Sequence, residues 1–100
     1  MANSFKDIIK DKTPVLVDFH ATWCGPCQTM SPIIDQIKNQ FGSQLRVLKI
    51  DVDKNQTASA KYKVRGVPTL LLFKEGEIVW RSSGLKSKRD LESIINQHIQ

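Results

Sequence analysis

The stretch VLVDFHATWCGPCQTM, Val15 to Met30, carries both cysteines of this 100-residue chain. Cys24 and Cys27 are separated only by Gly25 and Pro26. The nearly continuous apolar run before them, VLVDF, is typical of a strand that is buried on both faces. After Cys27, apolar residues recur at helical spacing. The pattern therefore predicts that the cysteine pair lies at a strand-to-helix junction.

Three interpretations of the Cys24–Cys27 pair compete. A structural disulfide would close a loop of about four residues and stabilise the fold by only about 2 kcal/mol, so it would be poorly placed. A structural zinc site needs four ligands, and the two histidines, His20 and His98, are far apart in the sequence. A redox dithiol fits best, because a helix N-terminus favours a thiolate at Cys24. Cys27, one turn further on, is expected to be the more buried thiol.

The rest of the chain predicts an α/β fold with helices on both faces of a sheet. Ser4 can cap a short first helix, and a last helix is expected from Ser87 onward. Between them we expect a strand, a helix and a hairpin of two strands in the segments LRVLKIDV (45–52), TASAKYK (57–63), TLLLFK (69–74) and EIVWRS (77–82). The order α-β-α-β-α-β-β-α implies a mixed sheet that begins parallel and ends antiparallel.

Composition restricts the class of protein. A length of 100 residues predicts a single domain over 1–100, and 40% apolar with 25% charged residues predict a globular chain. The net charge of +5 comes from lysines and arginines mixed with acids, so we expect no nucleic-acid partner. No signal region or membrane-spanning segment is visible, which predicts a cytoplasmic chain with no membrane partner. A signal peptide removed earlier would leave no trace.

From WCGPC (23–27) outward, the sequence resembles the thioredoxin family. The motifs VLVDF, ATWCGPC, KIDVDKN, VRGVPTLLLFKEGE and Gly84 stand in the family's order and near its spacing over most of the chain. The resemblance implies a thioredoxin fold and a protein-disulfide reductase that acts by dithiol–disulfide exchange on disulfide-containing proteins. It also implies that a flavin-dependent thioredoxin reductase returns electrons from NADPH to the redox-active disulfide Cys24–Cys27, with no bound cofactor or metal.

The resemblance implies roles for single residues. Cys24 matches the nucleophile and Cys27 the resolving thiol. Asp18 matches the buried carboxylate that moves a proton to and from Cys27, and Lys49 matches the lysine that pairs with this carboxylate. Pro68 matches the family's cis-proline, which faces the disulfide. The physical chemistry of Asp18 agrees, because a carboxylate in an apolar strand is desolvated and its pKa is expected to rise.

A docking surface for substrate proteins is also implied by the resemblance. Its positions are Trp23, Gly25, Pro26, Gly66, Val67, Gly84 and Leu85. His20 departs from the family, which usually has tryptophan or a small residue there. Two interpretations of His20 stay open: it packs beside the site, or its imidazolium tunes the thiols by favouring the Cys24 thiolate.

The N-terminal region departs from the family as well. Only 17 residues precede Asp18, whereas the family usually begins with an extra strand before the first helix. We therefore predict a four-stranded central sheet that lacks the usual first strand. The LRVLKIDV strand would then lie at an open edge, and open edges invite pairing. A monomer is favoured over a dimer formed through this edge.

Two other functions compete with the reductase. A thioredoxin-fold module could bind a partner without catalysis, but the intact cysteine pair, Asp18 and Pro68 argue against it. An oxidase or isomerase of the same superfamily would also carry a C-x-x-C pair. The residues between the cysteines, Gly25 and Pro26, resemble the reducing branch of the superfamily.

Overall fold

The structure is a computed structural model, and it describes residues 4–99. Its helices are α1 (Phe5–Ile8), α2 (Gly25–Phe41), α3 (Gln56–Lys61) and α4 (Lys88–Asn96), with a 3-10 turn (Gly42–Gln44) after α2. Its strands are β1 (Val15–His20), β2 (Arg46–Asp51), β3 (Thr69–Lys74) and β4 (Glu77–Ser83). The order along the chain is α1-β1-α2-β2-α3-β3-β4-α4, as the sequence predicts.

The strands within residues 4–99 form one four-stranded sheet in the order β2-β1-β3-β4. β1 and β2 are parallel, and β3 runs antiparallel to both β1 and β4. This arrangement confirms the predicted mixed sheet of four strands. The register of the parallel pair places Asp18 directly opposite Lys49.

Helices cover both faces of the sheet because the side chains of its central strands alternate between two apolar clusters. Leu16 packs with residues of α2 and α4 in one cluster. Val15 and Val17 pack with Phe5 of α1 and Tyr62, next to α3, in the other. Since side chains on one face of a strand recur every second residue, Asp18 and His20 share the face of Leu16. The fold thus directs both polar side chains of β1 toward the α2 side.

Local capping explains where the helices begin and end. The Ser4 and Ser87 hydroxyls accept backbone N–H groups at the starts of α1 and α4. Cys24 is the N-cap of α2, and Pro26 lies in the first turn, where its missing N–H costs nothing. Gly42 ends α2 at a positive φ of 53°, which favours glycine. None of the helices among residues 4–99 has the length and apolar character needed to cross a membrane.

Candidate active site

The cysteine pair lies where β1 has ended and α2 begins. Cys24 and Cys27 are joined in a disulfide, with their Cα atoms 5.2 Å apart. The backbone N–H of Cys27 donates to Cys24 Sγ at 3.1 Å, so the sulfur itself caps the helix. Once the disulfide is reduced, this donor and the positive end of the helix dipole both favour a thiolate at Cys24.

The two cysteines are buried to nearly the same extent. Cys24 is 4% exposed and Cys27 is 5% exposed, so the expectation that Cys27 is the more buried thiol is wrong. The reason is the capping geometry, which turns the Cys24 sulfur toward the helix rather than outward. Access to the pair is open on the other side, because a Cβ at Gly25 would meet nothing within 4 Å and Pro26 is exposed.

A cavity of about 280 Å³ lies beside the pair and brings together residues from three elements. Asp18 and His20 of β1, Cys27 of α2 and Lys49 of β2 all line it. Asp18 is 2% exposed, and its Oδ1 finds no hydrogen-bond partner among residues 4–99. The carboxyl group and the second thiol position therefore share one small, partly polar space.

Burial has the largest effect on the pKa of the Asp18 carboxyl. Desolvation raises the pKa of the carboxyl above its ordinary value of 3.8, because it disfavours the charged form. The positive charges of His20 and Lys49 lower this pKa, while the negative charge of Asp35 raises it. The net direction is upward, which suits a carboxyl group that exchanges a proton near neutral pH.

Lys49 does not form the direct pair with Asp18 that the resemblance implies. Its Nζ donates to Asp35 Oδ1 at 2.7 Å and to Ser31 Oγ at 2.8 Å, both on α2. An ammonium bound at this partly exposed position keeps part of its hydration, whereas pairing with Asp18 would bury the charge. Lys49 therefore acts on the Asp18 carboxyl through space, from across the β1–β2 register.

His20 lies at the end of β1, half-buried, on the wall of the same cavity. This placement brings its charge to bear on Asp18, an effect that the sequence does not indicate. No group of three histidine, cysteine or acidic side chains within residues 4–99 is arranged to hold a metal ion. His20 is thus placed to act on the carboxyl group that shares its cavity.

Three residues of the site, Ser31, Asp35 and Asp53, are not predicted from the sequence. Ser31 and Asp35 follow Cys27 at i+4 and i+8, so all three lie on one face of α2, and this spacing is a signal that could have found them. Asp53 accepts a hydrogen bond from Trp23 Nε1 at 2.9 Å. No local pattern predicts that contact, because the two residues are 30 positions apart.

Several of the positions predicted for docking lie near the Val67–Pro68 peptide bond, which is cis, the isomer that the resemblance implies. Trp23, Gly66 and Val67 line a cleft of about 100 Å³ next to this bond. Trp23 is 70% exposed, so a large aromatic face is free for contact while its Nε1 is held by Asp53. The cleft therefore offers a partly apolar surface beside the disulfide.

Gly84 and Leu85 reach the same surface from the end of β4. The Gly84 N–H donates to the Pro68 carbonyl at 2.9 Å, which fixes this loop against the cis peptide. Gly84 has a φ of 88°, a conformation that favours glycine. Leu85 follows and is 52% exposed, so it offers an apolar side chain next to Gly84.

Comparison with known proteins agrees with this geometry. The family model described as Thioredoxin matches residues 1–97. The chain belongs to the thioredoxin family. Thioredoxins of Porphyra purpurea and Bacillus subtilis (strain 168) are 46% and 45% identical to it, over 96% and 85% of this chain and 91% and 82% of their own. The structure of a mutant thioredoxin from Halobacterium salinarum NRC-1 matches with a TM-score of 0.87 at 42% identity, covering 95% of this chain and 82% of that one.

Membership in the thioredoxin family and the Cys24–Cys27 pair together establish the activity. The protein is a thiol–disulfide oxidoreductase of the protein-disulfide reductase type. Its substrates are disulfide-containing proteins, and a reductase usually restores the dithiol. The chemistry lies in the pair itself, which passes two electrons as one disulfide is exchanged for another.

Proposed function

We propose that this protein reduces protein disulfides in the cytoplasm as a monomer and receives electrons from NADPH through a flavin-dependent thioredoxin reductase. One observation carries the disulfide-exchange part of the proposal: Cys24 caps α2, and Cys27 shares its cavity with the Asp18 carboxyl, whose Oδ1 has no hydrogen-bond partner within residues 4–99. A nucleophile at a helix N-terminus and a buried carboxyl beside the second thiol are the two parts that dithiol exchange needs.

In the first half of the reaction, reduced Cys24 attacks one sulfur of the substrate disulfide. The substrate S–S bond breaks, a mixed disulfide forms between Cys24 and the substrate, and the other substrate sulfur leaves as a thiolate that takes up a proton. The Cys27 N–H aimed at Cys24 Sγ supports this step, because it stabilises the attacking thiolate.

In the second half, the Cys27 thiol gives its proton to the ionised Asp18 carboxylate and attacks Cys24. The mixed disulfide breaks, the Cys24–Cys27 disulfide forms, and the second substrate sulfur leaves as a thiolate. The raised pKa of Asp18 makes its carboxylate a stronger base for this proton. Reduction by the partner reductase reverses these events, and Asp18 then returns a proton to Cys27.

The docking surface positions the substrate for the first attack. An extended segment of substrate would lie along the backbone at Val67, as a short strand addition, with apolar contacts to Trp23 and Leu85. Trp23 and Leu85 support this role because both apolar side chains are largely exposed. The open space at Gly25 leaves room for the substrate disulfide to approach.

Reduction of insulin by dithiothreitol tests the activity directly. We expect the protein to raise the rate well above that of dithiothreitol alone, and Cys24→Ser to abolish the increase. A rate equal to the background would contradict the proposal and favour a binding module without catalysis. A reduction potential at or above that of glutathione would favour an oxidase or isomerase instead.

The role of Asp18 is tested by the resolution of a mixed disulfide preformed at Cys24. We expect Asp18→Asn to slow this single turnover at neutral pH by at least about tenfold, since general acid–base catalysis usually contributes about 10²- to 10⁴-fold. Glu77→Gln, which removes an exposed carboxylate from the far edge of the sheet, is the matched control and should leave the rate unchanged. An unchanged rate in Asp18→Asn would contradict the role.

Recycling and location are tested separately. Oxidised protein mixed with a purified flavin-dependent thioredoxin reductase should consume one NADPH per disulfide, and Cys27→Ser should consume none. Consumption that does not depend on the cysteine pair would contradict the electron source. Fractionation of cells that express the chain should recover it with cytoplasmic markers, and recovery elsewhere would contradict the proposed location.

A further inference from the structure

Lys49 lines the cavity that holds Asp18 and Cys27, and its ammonium binds a carboxylate of α2. Lys49 of β2 stands opposite Asp18 of β1 in the sheet register, yet its Nζ donates to Asp35 at 2.7 Å and to Ser31 at 2.8 Å. The Asp18 Oδ1 that Lys49 does not reach has no hydrogen-bond partner within residues 4–99. The lysine is thus directed to α2 and away from its neighbour in the sheet.

We propose that Asp35 and Ser31 are positioning residues that hold the Lys49 ammonium on α2 and so leave the buried Asp18 carboxyl free to take up and release a proton. The two α2 acceptors are called the lysine clamp below. The inference rests on the proposed role of Asp18 as the proton acceptor for Cys27. It assigns a role in the reaction to two residues that lie outside the cysteine motif.

The clamp matters because a direct ion pair between Lys49 and Asp18 would weaken Asp18 as a base. An ammonium in contact with a buried carboxylate strongly favours the ionised form, and such a carboxylate is a poor base. The clamp avoids this state, because the side chains of Lys49 and Asp35 remain 33% and 61% exposed and keep part of their hydration. The Ser31 hydroxyl adds a second acceptor and narrows the positions open to the lysine.

The cavity makes the alternative position of the lysine accessible. Asp18, Ser31 and Lys49 all line the same space of about 280 Å³, so an ammonium released from α2 has room to turn toward the carboxyl. The other groups that bear on Asp18 are the His20 imidazole on β1, whose charge favours ionisation, and Cys27 on α2, which exchanges the proton. If Lys49 were released from α2, its ammonium would add a positive charge in direct contact with the Asp18 carboxyl.

The clamp is tested by titrating the Asp18 carboxyl with carbon-13 NMR in the oxidised protein. We expect Asp35→Asn and Ser31→Ala each to raise the acid dissociation constant of Asp18 by about two- to fivefold, the range set by the coupling of a partly exposed ion pair. Ser31→Ala is the more telling variant, because it changes no charge. Glu77→Gln removes a distant exposed carboxylate and should leave the titration unchanged.

A second set of variants asks whether the effect passes through Lys49. In a Lys49→Met background, or in Lys49→Gln if the first variant does not fold, Asp35→Asn and Ser31→Ala should have little effect on the Asp18 titration. The clamp is overturned if Ser31→Ala leaves the titration unchanged and Asp35→Asn acts equally with and without the lysine. Asp35 would then act only through its own negative charge.

The two proposals fail in different measurements. The titration of Asp18 reports on the clamp whether or not this carboxyl serves as a base. The rate at which Asp18→Asn resolves the mixed disulfide shows whether Asp18 acts as the base for Cys27, and this result does not depend on the clamp. If both hold, Asp35→Asn should slow resolution near neutral pH by up to about fivefold, and the Lys49→Met background should remove this loss.

Discussion

The Asp18 side chain makes the stability of the fold depend on pH. It is 2% exposed and its Oδ1 has no partner within residues 4–99, so its ionised form is costly in the folded state. Because burial raises the folded pKa, the protonated form contributes its full stability below the ordinary value of 3.8. That contribution is lost as the pH rises through the folded pKa.

Asp18→Asn should therefore stabilise the oxidised protein at neutral pH. We expect the free energy of unfolding to rise by roughly 1 kcal/mol or more, since an unpaired buried charge costs more than an unpaired buried amide. The gain should shrink as the pH falls and vanish below 3.8, where both side chains are uncharged. Denaturant unfolding over this pH range measures it. A gain that is constant with pH would contradict the account.

The charge of His20 acts on the same carboxyl and gives a second expectation. His20→Gln should raise the pKa of Asp18 under conditions in which the imidazole carries its charge, because one of the charges that lowers this pKa is lost. The carbon-13 titration of Asp18 measures the shift, and Gln28→Ala, which alters the same cavity wall without a charge change, is the control. If His20→Trp leaves the Cys24 titration and the reduction potential unchanged, His20 does not tune the thiols.

The first helix shows how a short element is held by packing. α1 has only four residues, too few to be stable alone, although Ser4 caps it. The ring of Phe5 makes edge-to-face contacts with Phe19, Tyr62 and Phe73, with centroids 5.6 to 6.5 Å apart. This aromatic contact attaches the start of the described chain to the face of the sheet opposite α2.

Phe5→Ala should lower the free energy of unfolding by about 2–3 kcal/mol, somewhat less than the cost for a fully buried phenylalanine, because Phe5 is half-buried. Lys6→Ala, at an exposed position of the same helix, should change it by less than about 0.5 kcal/mol. Urea unfolding measures both. Equal costs for the two substitutions would show that the helix, and not the aromatic contact, carries the stability.

Across the whole sheet, β2 is the edge strand most relevant to association. The N–H of Arg46 in β2 and that of Val52, just after the strand, donate to the carbonyls of Pro14 and His20, so the even-numbered amides of β2 point toward β1. The odd-numbered positions, with Lys49 at their centre, direct their backbone groups outward. Two copies that paired antiparallel at this centre would bring two lysines face to face, and like charges opposed across strands are unfavourable.

We therefore expect the protein to remain a monomer. Light scattering should give the chain mass of 11.4 kDa across a wide range of concentrations. Lys49→Val should raise the fraction of dimer at high concentration, because it removes the opposed charges and leaves a β-branched residue at the edge. A concentration-dependent dimer in the unsubstituted protein would contradict the expectation.

The sequence by itself determined the element order, the mixed four-stranded sheet and the position of Cys24 at the start of α2. These features follow from local rules: apolar periodicity, the buried run VLVDF and the preferences of helix caps each act within a few residues. The resemblance to the thioredoxin family added one further prediction, the cis peptide bond before Pro68. All of these could be stated before any coordinates were known.

The tertiary structure alone decided which partners the polar side chains took. Lys49 bound Asp35 and Ser31 rather than Asp18, Trp23 bound Asp53, and the two cysteines proved equally buried. The choice made by Lys49 is a competition between acceptors that are distant in sequence, settled by how much hydration the ammonium keeps at each position. Local patterns carry no information about that balance, because it depends on which surfaces the folded chain brings together.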